Sequence, residues 1–167
     1  TTQSQMREIW VMNADGSGQT ALTNNNRDAA FPAWSPDGTK IAYSDNFDTS
    51  GGSGSPHIWV MNADGSNQTQ LTAGGQDDIG GDFPRWSPDG SKIVFRARNA
   101  NGPGWGNIAI MNPDGSGLTH ITDDSSMSDL RPSFSPDGTK IVFLRQLGAG
   151  HQTIWLMNLD GSGQVEL

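Results

Sequence analysis

Phe31-Pro32-Ala33-Trp34-Ser35-Pro36-Asp37-Gly38-Thr39-Lys40-Ile41-Ala42-Tyr43, followed by Ile58-Trp59-Val60-Met61-Asn62-Ala63-Asp64-Gly65-Ser66, decides the fold, because both halves recur along the chain. The first half returns at residues 83–95 and 131–143, with Phe134 in the place of Trp34. The second half occurs four times, at residues 9–17, 58–66, 108–116 and 154–162, so its copies begin 49, 50 and 46 residues apart. Repetition at such a period marks a modular array. Residues 9–23 and 58–72 differ at only two of fifteen positions, which points to recent duplication or to design.

Each motif reads as a β-hairpin. Ile-Trp-Val-Met and Lys-Ile-Val-Phe are short runs of β-branched and aromatic residues bounded by turn formers. Asp-Gly stands at the break in all seven copies, where glycine supplies the positive φ of a tight turn. Pro36, Pro88 and Pro136 preset the turn before it. Apolar residues occupy adjacent positions and not only alternate ones, so both faces of each sheet must be covered. Two hairpins make a four-stranded antiparallel meander of about 50 residues, and sheets stacked around an axis make a β-propeller. In the first full repeat the strands are expected at 31–35, 40–44, 57–62 and 68–72.

The chain therefore divides, as one all-β domain over residues 1–167, into a half blade (8–23) and three blades (24–72, 73–122 and 123–167). Closed propellers usually hold four to eight blades. Three and a half blades leave open edges and faces that invite association. The array is expected to be part of a longer chain, to close with copies of itself into a homo-oligomer, or to form a strained small ring. Two-fold pairing gives six full blades with spare hairpins or eight positions with two half filled.

The pattern Pro-x-Trp-Ser-Pro-Asp-Gly-x-Lys-Ile-x-Phe, then Ile-Trp-x-Met-Asn-x-Asp-Gly-Ser and a closing Leu-Thr, resembles the PD40, or TolB-like (WD40-like), propeller repeat. The resemblance runs from Glu8 to Leu167. It implies a scaffold for protein contacts and a periplasmic or extracellular location. Related propellers gate or flank peptidase domains, so the fold alone does not name a function.

Composition narrows the partners. The net charge is −8, from 18 acidic and 10 basic residues, which disfavours nucleic acid and anionic membranes. There is no cysteine, so disulfides and thiolate chemistry are excluded. No apolar run approaches the ~20 residues that span a bilayer.

In a meander the uniform Asp-Gly turns share one face, and the longer, dissimilar connections share the other. Recognition residues favour variable loops on a rigid scaffold. That face carries Trp105, outside the repeat pattern, read either as a contact anchor or as packing on a neighbouring loop. It also carries an acidic set, Asp28, Asp77, Asp78, Asp82, Asp123, Asp124 and Asp129, placed in the connections that enter each blade. Carboxylates suit a hard cation such as Ca²⁺ or a basic peptide. Arg85, Arg96, Arg98, Arg131 and Arg145 fall on or beside the first two strands of each blade, to pair with those aspartates or to contact an acidic partner.

Signals of catalysis are missing. His57, His120 and His151 form no His-Glu-x-x-His, and no Gly-x-Ser-x-Gly elbow, P-loop or dinucleotide fingerprint occurs. His57 and His151 fall on the variable face. The sequence is thus expected to specify a non-catalytic scaffold, without a required cofactor, for a protein or peptide partner. A ligand-free self-assembling repeat protein and a polysaccharide lyase or hydrolase are the competing readings.

Overall fold

The computed structural model describes residues 6–24, 28–46, 56–72, 80–97, 106–123, 126–147 and 150–167. The regular elements among them are strands. In chain order they are β1 (Trp10–Val11), β2 (Thr20–Ala21), β3 (Asp28–Trp34), β4 (Lys40–Asn46), β5 (Pro56–Asn62), β6 (Thr69–Gln70) and β7 (Gly81–Trp86). There follow β8 (Ile93–Ala97), β9 (Asn107–Met111), β10 (Thr119–His120), β11 (Ser128–Phe134), β12 (Lys140–Leu147), β13 (His151–Asn158) and β14 (Val165–Glu166). The pair β1-β2 precedes three antiparallel meanders, β3-β4-β5-β6, β7-β8-β9-β10 and β11-β12-β13-β14. This is a partial propeller of one half blade and three full ones.

The turns explain why Ser and Thr flank each Asp-Gly. In the turn after β5, Asp64 accepts hydrogen bonds from Ser66 N at 2.9 Å and Ser66 Oγ at 2.6 Å. In the turn after β3, Asp37 accepts from Ser35 Oγ at 2.6 Å and Thr39 N at 3.0 Å. Gly38 and Gly65 sit at φ +69° and +85°, the left-handed region that a side chain would strain.

Strand bounds depart from expectation at both sheet edges. The first strand of each blade begins earlier than Phe31 and its equivalents, so Asp28, Asp82 and Asp129 belong to β3, β7 and β11 and not to loops. The reason is a bulge. Register holds on both sides of a shift between Ala30 and Ala33, between Asp82 and Arg85, and between Leu130 and Ser133. There Phe31, Phe83 and Arg131 adopt φ +55°, +55° and +50°. The residue after each is a proline, which cannot donate to a ladder and is accommodated where pairing is interrupted. The outermost strands are shorter than expected, two residues each. A threonine side chain takes over at their ends: Thr23, Thr72 and Thr122 Oγ1 each accept the amide of Ile9, Ile58 or Ile108 at 2.9 Å.

The core consists of three layers between successive sheets. Ile41, Tyr43 and Met61 of the first full blade pack on Ile9 and Leu22 of the half blade. The opposite face of that blade, Ala42, Ile58 and Val60, packs on Ile93, Phe95, Ala109 and Met111. Val94 and Ile108 then meet Ile141, Phe143 and Met157 of the last blade. Strands that bury adjacent residues on opposite faces are the cause of the unbroken apolar runs in the sequence.

Candidate functional site

The first strands of successive sheets touch, β3 against β7 and β7 against β11, so they line the axis. The bulges place one large side chain per blade on this axial wall. Phe31 and Phe83 meet with ring centroids 4.1 Å apart and planes inclined by 41°. The Arg131 guanidinium carbon lies 5.4 Å from the Phe83 centroid, and that of Arg96 lies 5.3 Å away. Phe31, Phe83, Arg85, Arg131, Pro132 and Ser133 enclose a cleft of about 420 Å³. Arg85 Nη1 donates to Pro84 O at 2.9 Å.

Three arginines nearby hold carboxylates. Asp82 is buried and engages Arg96, directly across the ladder, through Nε at 2.6 Å and through Nη2. Asp129 accepts from Arg145 Nε at 2.7 Å and Nη2 at 2.8 Å, and this pair is buried. The Arg145 guanidinium also lies 4.6 Å from the Trp155 ring and 5.2 Å from the Phe143 ring. At the half blade, Asp28 accepts from Arg7 Nε at 2.8 Å, Nη2 at 2.6 Å and the Arg7 amide at 2.9 Å. These bonds hold the Asp28 carboxyl below its usual range. Arg7 was missed by sequence reasoning because it precedes the repeat; only its charge, complementary to an aspartate at the next strand start, was a signal.

Of the residues singled out in the sequence, Asp82, Asp129 and Arg96 lie in these ion pairs, and Asp123 is exposed just beyond β10. Trp105, Asp77, Asp78, Asp124 and Arg98 lie outside the described residues. His57 is buried in β5 with Nδ1 3.4 Å from Thr72 Oγ1, while His151 is exposed at the start of β13. Among the described residues no three His, Asp or Glu side chains gather as a metal site. No helix among them is long and apolar enough to cross a membrane.

The ends of the array differ from its interior. In the three later copies, a side chain added to the Asp-Gly turn glycine would meet the preceding blade: a Cβ on Gly65 would lie 2.8 Å from Leu22 O, one on Gly115 would lie 3.0 Å from Leu71 O, and one on Gly161 would run into Ile121 O. Gly16, in the first copy, has nothing within 4 Å. Trp10 and Met12, in the half blade, are 61% and 63% exposed, whereas their equivalents Trp59 and Met61 are partly and fully buried. At the other end Ile154 is 50% exposed, whereas its equivalents Ile58 and Ile108 are fully buried.

Comparison with known proteins agrees with this architecture. A TolB homolog from Chlorobium luteolum is 32% identical over 165 residues, which is 99% of this chain and 34% of that protein. The chain thus spans about a third of the length of that curated relative. The structure of a TolB from Agrobacterium tumefaciens matches with a TM-score of 0.80 and 26% identity, covering 99% of this chain and 57% of that one. TolB from Acinetobacter baumannii, at 24% identity, shares the fold with a TM-score of 0.75 over 96% of this chain and 37% of its own. The sequence model of the TolB beta propeller domain matches residues 1–167, and the chain therefore belongs to the PD40 family of TolB β-propeller domains.

Proposed function

We propose that the chain is a non-catalytic propeller scaffold that recognises a protein or peptide, with its ring closed by a second copy docked head to tail. Contact with the partner falls to the variable face, through Trp105, Asp77, Asp78, Asp123, Asp124 and Arg98. The Asp82–Arg96 and Asp129–Arg145 pairs stiffen the strands beneath it. Support comes from the family, since a relative is named for the Tol-Pal system. A periplasmic location goes with this reading.

The observation that carries ring closure is the match between the two open faces. Trp10 and Met12 repeat the chemistry of Trp59 and Met61, which face the preceding blade. Ile154 and Leu156 repeat that of Ile58 and Val60, which face the following one. Val60 and Met111 share one core layer between blades. Leu156 of one copy and Met12 of another are their counterparts.

A cross-link tests this directly, because the chain has no cysteine of its own. Leu156→Cys and Met12→Cys chains, mixed under mild oxidation, are expected to yield a disulfide-linked heterodimer. Failure of the mixture to link above the level of either variant alone overturns the head-to-tail arrangement.

A further inference from the structure

The cleft on the axial wall is cationic and aromatic in a protein whose net charge is −8. Arg7, Arg96 and Arg145 each hold an aspartate. Arg85 and Arg131 hold none among the described residues, and both are exposed. Among the described residues no carboxylate lines the cleft, which the Phe31–Phe83 pair helps to enclose. Two guanidinium groups with no carboxylate partner among the described residues thus stand beside an aromatic surface, with donors left for an anion.

The bulges set where these side chains stand. Phe31, Phe83 and Arg131 are held at positive φ, which bulky residues seldom adopt. The bulge before Pro32, Pro84 and Pro132 imposes this conformation in each blade and fixes the three side chains on the axial wall. Here the three strained residues are three of the six that line the cleft. Its volume of about 420 Å³ lies in the range of small-molecule sites.

We infer that this cleft is a binding site for a planar aromatic carboxylate, with the ring stacked on Phe31 and Phe83 and the carboxylate held by Arg131 and Arg85. Guanidinium groups match carboxylate geometry with paired N–H donors, and aromatic faces accept a flat apolar body. The lining residues come from β3, β7 and β11 of a single chain, so the site does not rest on ring closure or on the protein partner.

The test is calorimetric titration of the intact chain with isophthalate, which carries two carboxylates on one ring. The neutral isophthalamide serves as the control. Isophthalate is expected to bind at about millimolar or better affinity, and isophthalamide to give no heat. Arg131→Gln and Arg85→Gln are each expected to weaken isophthalate by about tenfold, with the circular dichroism spectrum unchanged. Phe83→Leu, which keeps both arginines, is expected to weaken it as well. No heat with isophthalate at about 10 mM, or binding that both Arg→Gln variants leave unchanged, overturns the inference.

Discussion

Trp86 Nε1 donates a 3.1 Å hydrogen bond to Ala33 O, tying the first strand of one blade to the first strand of the blade before it. Trp34 occupies the equivalent position in the preceding blade and is 51% exposed, because among the described residues no strand before β1 receives it. Phe134, the third equivalent, has no N–H to donate. The same residue type therefore has two different roles. Trp86→Phe removes this bond between blades and is expected to cost about 1 kcal/mol. Trp34→Phe is expected to stay within about 0.5 kcal/mol of the parent. Urea unfolding of both variants checks the difference.

The layers between blades set a larger scale. Phe95 is fully buried in the layer joining the first and second full blades. Phe95→Ala is expected to destabilise the fold by about 3–5 kcal/mol. The isolated exposure of Trp10 predicts that Trp10→Ala changes association far more than chain stability. Thermal melts at two concentrations separate the two effects.

The buried Asp129–Arg145 pair makes a third prediction. Arg145→Met strands a buried carboxylate and is expected to cost about 3–5 kcal/mol. The double change Asp129→Leu with Arg145→Met removes both charges and is expected to recover most of that loss. Denaturant midpoints for the two single variants and the double variant complete the cycle. A double variant no better than the sum of the singles contradicts an ion pair acting as a unit.

Acid sensitivity follows from the turns. Asp15, Asp37, Asp64, Asp114, Asp137 and Asp160 are held below the usual carboxylate range by serine hydroxyls first, then by backbone amides. Asp89 is lowered to about 2, chiefly by Ser87 Oγ and then by the Ser91 amide and hydroxyl. The folded values lie below the unfolded one, near ~3.9. The stabilisation is therefore complete above about pH 5 and is lost as the pH falls from about 4 towards 2. Melting temperature should be level above that window and drop within it. Asp89→Asn should lower the plateau and make the drop shallower.

How much of this was legible in the sequence depends on the range of the interaction. Turns and strand pairs were readable because Asp-Gly, Ser and Thr act within a few residues, as the Asp64–Ser66 bonds illustrate. Burial on both faces was readable from adjacent apolar residues such as Ile58 to Met61. The bulges were not anticipated, although Pro32, Pro84 and Pro132 inside paired strands were their signal. Hence Asp28, Asp82 and Asp129 were expected in loops and are found in strands. The axial cleft depends on three blades converging, and no local pattern encodes that.

The most direct test of ring closure is the absolute mass of the chain in solution, by light scattering after size exclusion. One chain is 17.8 kDa. The account predicts a sharp species of two or more chains whose mass does not change on dilution. A monomer at every concentration would contradict it, and the open faces of the half blade and of the last blade would then need blades from a different source.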